Sequence, residues 1–237
     1  MATWITSDLH LNHFKILDFE RYNLDRNGLS HIQTIEQYNE MIISRINSVV
    51  APEDTLYILG DVVMGGTDVI TRLIRRINGY KILVLGNHDK YKVNQGLKMG
   101  FNEVYDRPIY LPEGHGKVIL SHYPLYEAFD NPYISYNIHG HLHDSWLSLP
   151  NYLNANISMN GYYPINLETL LPSINSNGKS RREPWLEEWF AEYQTFSHEK
   201  STVILRADKT LDVEATREML QKKAEEALKN TENNQNL

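Results

Sequence analysis

The stretch HGHLH places His139, His141 and His143 within five residues. Packing alone seldom calls for three imidazoles so close together, and histidine is the commonest metal ligand. In an extended strand alternate residues share a face, so all three rings would point one way. Such a run is either a metal site or a polar edge. Other chemistry-bearing residues come in similar short blocks: Asp8 and His10 in SDLH, Asp61 in ILGDVV, Asn87, His88 and Asp89 in VLGNHD, and His122 in SHYP. Carboxylates, an amide and imidazoles form a mixed oxygen and nitrogen donor set. It suits borderline divalent ions such as Mn, Fe, Zn or Ni better than Ca or Mg alone. The set exceeds what one ion requires. Two ions about 3.5–4 Å apart, bridged by one carboxylate, would use it fully.

The elements that must position these blocks can be read from periodicity. ATWITS, TLYILG, KILVLG, GKVILS and ISYNI are strand candidates, and each is followed by one of the blocks. Between them, Ile32, Ile35, Ile42, Ile46 and Val49 repeat at the helical period and predict a helix from about Ser30 to Val50, stopped by Pro52. TDVITRLIRRIN reads as a helix capped by Thr67 and ending at Gly79. FERYNLDRNG reads as a polar loop. Strands alternating with helices predict an α/β core, and open α/β sheets bind ligands beyond the carboxyl ends of their strands. Glycines just before Asp61, Asn87 and His141 would allow sharp turns and close backbone approach. From about Pro172 the composition shifts. Residues 1–172 are expected to form the main domain and 173–237 an appendage with an amphipathic helix (PWLEEWFAEY), a hairpin, a charged helix and a frayed tail.

Composition narrows the classes. A net charge of -7 gives no footprint for non-specific nucleic-acid binding. Without cysteine, no disulfide framework or thiolate site is available. The opening MATWITSD lacks the features of a signal peptide, and no run approaches the roughly 18 apolar residues of a membrane span. The expectation is a soluble, cytoplasmic protein.

DLH, GD, GNHD, SH and GHLH, in this order over residues 3 to 143, resemble the five signature blocks of the calcineurin-like metallophosphoesterases; NISMNGYYPINLETL resembles the usual close of their core. The resemblance implies a four-layer α-β-β-α sandwich with two mixed sheets. It implies that Asp8, His10 and His141 hold one metal and Asn87, His122 and His139 a second. Asp61 would bridge them with a water or hydroxide, and His88 would serve as general acid or stabilise charge on the phosphoryl group. Mn is the expected ion, with Fe, Zn or Ni as alternatives. His143 and His13 have no place among these ligands and are expected behind them or against substrate, or as solvated loop histidines. The DxHxxH opening that includes His13 resembles a subgroup of small prokaryotic and viral members.

Several residues also have plainer readings. Asp8 and Asp61 could be turn or cap carboxylates, Asn87 a turn residue and His122 a buried structural histidine. Asp89 is expected to support its loop rather than perform chemistry. Arg21 and Arg26 could reach a phosphate oxygen, and the aromatics of HYPLYEAFDNPY could stack on a nucleobase. His31, His115 and His198 lie outside every block. Met64 and Gly65 stand where the family's protein phosphatases carry an Asp and an Arg, which argues against a protein substrate. GNHD is frequent among members acting on phosphodiesters. The favoured substrate is therefore a small nucleotide or cyclic-nucleotide diester, the alternative a phosphomonoester. A non-catalytic scaffold is the reading from a different class, disfavoured because every ligand position is filled. The appendage either covers the core or joins two copies into a homodimer.

Overall fold

The computed structural model describes residues 1–112, 118–125, 128, 134, 136–143, 145, 147 and 151–170. The appendage, and with it the expected dimer contact, lies outside the described residues. So do Tyr126, Phe129 and Tyr133 of the aromatic loop.

The elements are β1 (Thr3–Thr6), α1 (Ile16–Phe19), α2 (Arg21–Arg26), α3 (Ile35–Val49), β2 (Thr55–Ile58), α4 (Thr67–Ile74), β3 (Tyr80–Val84), α5 (Val93–Met99), β4 (Glu103–Tyr105), β5 (Ile109–Tyr110), β6 (Val118–Leu120), β7 (Tyr136–His139), β8 (Tyr152–Asn154), a 3-10 turn (Ile157–Asn160) and β9 (Ile165–Asn166). The first sheet has the order β4-β3-β2-β1-β9 and the second β5-β6-β7-β8. β1 to β4 run parallel, with β9 antiparallel to β1 at the edge. β6, β7 and β8 run parallel, with β5 antiparallel to β6. Both sheets are mixed, as the sandwich requires.

Alternation along β2 explains the layering. Leu56 and Ile58 join the core beneath α3, α4 and α5, while Tyr57 and Leu59 join a second core with Val118, Leu120, Tyr136 and Ile138 of the other sheet. The first sheet is therefore covered on both faces. Among the described residues, no helix is long and apolar enough to cross a membrane.

Three element boundaries differ from the sequence reading. α3 starts at Ile35, because Thr34 and Gln37 close a capping box there: Gln37 N donates to Thr34 Oγ1 at 3.2 Å and Thr34 N to Gln37 Oε1 at 3.1 Å. Thr67 is not the cap of α4; Gly66 occupies that position and the helix ends at Ile74. FERYNLDRNG is largely helical as the end of α1 and α2, since Ile16 and Leu24 bury their side chains and draw the segment onto the core.

Candidate metal centre

Parallel pairing continues past the strand ends and aligns the loops. Asp8 N donates to Gly60 O at 3.0 Å, His10 N to Asp61 O at 3.0 Å and Leu11 N to Val62 O at 2.9 Å. In the second sheet Gly140 N donates to His122 O at 2.9 Å. His141 N reaches across to both oxygens of Asp8, at 3.2 and 3.1 Å, and joins the two sheets at their carboxyl ends. At these junctions the backbone approaches too closely for a side chain. A Cβ on Gly140 would lie 2.5 Å from Asp8 Oδ2 and 2.6 Å from Ser7 Oγ.

Asp8, His10, Asp61, His141 and His143 all have positive φ, between 44° and 68°. Left-handed backbone in residues other than glycine costs about 1–3 kcal/mol each, and such residues cluster at functional sites. HGHLH is therefore not one extended run. His139 ends β7 in regular strand geometry, and the chain turns at His141 and His143.

That turn decides which histidines meet which partners. Asn87 Oδ1 lies 2.8 Å from His122 Nε2 and 3.0 Å from His141 Nδ1, and the two nitrogens are 3.3 Å apart. Asp8, His10 and His143 bring one donor atom each within 4.8 Å of one another, and so do Asp8, Asp61 and His122. The His10 and His143 rings stack at 5.1 Å and 9°. Asp61 Oδ2 lies within reach of both histidines, 3.9 Å from His10 Nε2 and 3.6 Å from His122 Nε2. His139 is in neither group. Its Nδ1 faces its neighbour Gly140 O at 2.8 Å, its ring lies 6.1 Å from that of Tyr152, and its buried Nε2 has no hydrogen-bond partner.

The donor set suits cations. His122 Nδ1 faces Leu59 O at 2.8 Å. A carbonyl can only accept, so Nδ1 carries the proton and Nε2 presents a lone pair. That lone pair meets the carbonyl oxygen of Asn87, acceptor against acceptor, an arrangement that a cation between them would satisfy. Burial pushes the His122 imidazole down to about 3 and that of His10 well below its ordinary value, so both rings are neutral, as ligands must be. Burial, and then the mutual repulsion of Asp8 and Asp61, raises the Asp8 carboxyl. Burial also raises that of Asp61. Positive charge between these carboxylates would relieve both.

The remaining expected residues frame this cluster. His88 has an exposed side chain with its ring 5.7 Å from that of His10, while its backbone N donates to Asp61 Oδ1 at 2.8 Å. His13 is half-buried, its ring 5.5 Å from that of His10. Arg21 does not face the cluster. Both of its terminal nitrogens donate to Ile32 O at 3.1 Å. Arg26 is exposed at the end of α2. Asp89 is buried and stitches two blocks together: Oδ2 accepts from Asp61 N and Gly86 N at 2.9 Å each, and Oδ1 from Val62 N at 3.1 Å and Tyr91 Oη at 3.2 Å. Tyr123, which the block pattern does not single out, lies with its ring 4.5 Å from that of His141. In the sequence it is signalled as the first aromatic of HYPLYEAFDNPY, one residue after His122.

Similarity to known proteins places the chain in a family. The chain is 31% identical over 139 residues to the gene 66 protein of Mycobacterium phage L5, covering 52% of this chain and 63% of that protein. It is 26% identical over 180 residues to an uncharacterised protein of Methanocaldococcus jannaschii, covering 72% of this chain and 90% of that one. The chain thus spans less than two thirds of the length of the phage relative. The crystal structure of a protein of unknown function from Aquifex aeolicus superposes with a TM-score of 0.55 at 27% identity, over 71% of this chain and 97% of that one. The sequence profile of the calcineurin-like phosphoesterases matches residues 1–223. That match takes in every block and both sheets, and the chain belongs to the calcineurin-like phosphoesterase family.

Proposed function

We propose that this chain is a metal-dependent phosphoester hydrolase with a dinuclear centre, and that its ligands fall one step further along HGHLH than the block pattern implied. Asp8, His10 and His143 would hold one ion, and Asn87, His122 and His141 the other, with Asp61 between them. His139 is then a buried histidine behind the site. The convergence of Asn87 Oδ1, His122 Nε2 and His141 Nδ1 within 3.3 Å carries this reading. Two divalent ions, Mn by preference and Fe, Zn or Ni as alternatives, would neutralise the phosphate and activate water for in-line attack. The protein's own part is positional. Asp61 spans the two groups, and its Oδ1 accepts from His88 N, which fixes the loop that carries His88. From its exposed place His88 can donate a proton to the leaving oxygen or stabilise charge on the phosphoryl group.

A phosphodiester is the favoured substrate, of the small nucleotide or cyclic-nucleotide kind. A diester carries one negative charge where a monoester carries two, and it asks less of accessory cations. The arginine nearest in sequence to the first block, Arg21, is held by Ile32 O rather than facing the cluster. A phosphomonoester remains the alternative. The non-catalytic scaffold is disfavoured, because the donor atoms of every block except His139 converge.

The test is hydrolysis of bis-p-nitrophenyl phosphate and p-nitrophenyl phosphate by the Mn-loaded protein, with and without EDTA. Turnover that EDTA abolishes and that favours the diester is the expected result. Preference for the monoester would reverse the substrate assignment. Absence of turnover together with absence of bound metal would leave only the scaffold.

A further inference from the structure

The segment from Phe14 to Arg26 holds aromatics that the core does not use. Phe14 is 75% exposed and Phe19 64%. Fraying does not account for this, because the same segment is fixed from within. Ile16, Glu20, Asn23 and Leu24 are all buried. The Glu20 carboxylate accepts from Tyr162 Oη at 3.0 Å and from Asn23 Nδ2 at 2.9 Å, and Arg21 is tied to Ile32 O. Tyr162 belongs to the loop that closes the core, so the hydrogen bond fastens α1 and α2 against it. An element fixed so firmly holds Phe19 outward.

Phe19 is also continuous with the metal centre. Its ring centroid is 6.0 Å from that of His13, and His13 is in turn 5.5 Å from His10. Both spacings fall within the usual range for interacting rings. Lys15, between His13 and Phe19 in the chain, acts on the His13 ring as a nearby positive charge. These rings and this charge suit an occupant that is flat-ringed at one end and anionic at the other.

We propose that Phe19, with His13 beside it, forms a stacking subsite for the nucleobase of a nucleotide whose phosphate sits at the metal centre. The proposal rests on the phosphoester reading and adds to it the part of the substrate that is recognised away from the phosphorus. Stacking on one aromatic ring tolerates any base, so the subsite favours nucleotides as a class rather than one nucleotide.

Equilibrium binding to the Mn-loaded full chain tests it, with adenosine 5′-monophosphate against ribose 5-phosphate and phosphate release monitored throughout. The wild type is expected to bind the nucleotide about 5- to 100-fold tighter than the sugar phosphate. Phe19→Ala should lose most of that ratio and Phe19→Trp should keep it, with circular dichroism and metal content confirming that both variants fold. Ribose 5-phosphate bound as tightly as the nucleotide would overturn the subsite and leave the phosphoester reading standing. A ratio that survives Phe19→Ala would also overturn it, by placing the base elsewhere. Failure of both compounds to bind would overturn the subsite, and hydrolysis of bis-p-nitrophenyl phosphate by the same preparation would show that the phosphoester reading stands without it. A wild-type dimer that Phe19→Ala dissociates, without any base preference, would assign the surface to a second copy of the chain.

Discussion

His139 and His143 stand on either side of His141, each two residues away, and nothing in residue type separates them. Their backbones do. His139, in β7, pairs with Asn154 of β8, whereas His143 has φ of 50° and stacks on His10. The alternation rule that would aim three rings one way assumes extended chain, and the chain leaves that conformation after His139. This is why the blocks were legible in the sequence while which of the three histidines face the cluster was not. Asp8, His10, Asp61, Asn87 and His122 were placed by their position after strands, and the structure brings all five to one place. Arg21 could not be placed that way, because its partner is a backbone carbonyl that no side-chain pattern reveals. At this scale His88→Ala is the informative substitution. Its imidazole is outside both ligand groups, so metal content by mass spectrometry should stay at the wild-type value while kcat falls about 10²- to 10⁴-fold. Loss of metal in that variant would make His88 a ligand.

The strands align the site, and short hydrogen-bonded links set its loops. Asp89 gathers the amides of Gly86, Asp61 and Val62 on one buried carboxylate, which ties the loop after β2 to the loop after β3. An amide in its place offers one accepting oxygen and turns two donors toward groups that are themselves donors. Asp89→Asn should therefore weaken Mn binding about 10- to 100-fold in a folded protein, as loss of an outer support typically does. Calorimetric titration of Mn into the variant checks it; wild-type affinity would show that the loops hold without the carboxylate. The helices were less legible than the strands. The end of α1 and α2 were hidden in a polar stretch because only Ile16 and Leu24 anchor them strongly, and Glu20 does the rest through Tyr162, far along the chain. α3 was visible because its apolar stripe repeats over four turns.

Over the whole molecule, two sheets from distant parts of the chain meet at the metal centre, and buried like charges sit at their junction. Asp8 and Asp61 repel each other there, so ions that bind the folded state and not the unfolded one should stabilise the fold. At a free ion concentration of about 100 Kd the gain is about 2.7 kcal/mol, or roughly 5–10 °C in Tm for a domain of this size. Thermal unfolding with Mn and with EDTA reads it directly, and identical curves would separate the fold from the site. Two mixed sheets were implied by the resemblance that the motif order carries, but their strand counts were not, and the pairing of β9 with β1 rests on two residue pairs that no pattern in the sequence marks. The central claim concerns which histidines complete the centre, and metal stoichiometry by inductively coupled plasma mass spectrometry tests it. The wild type and His139→Ala should each bind two Mn ions per chain, and His143→Ala only one. Two ions retained by His143→Ala, with one lost from His139→Ala, would contradict the assignment.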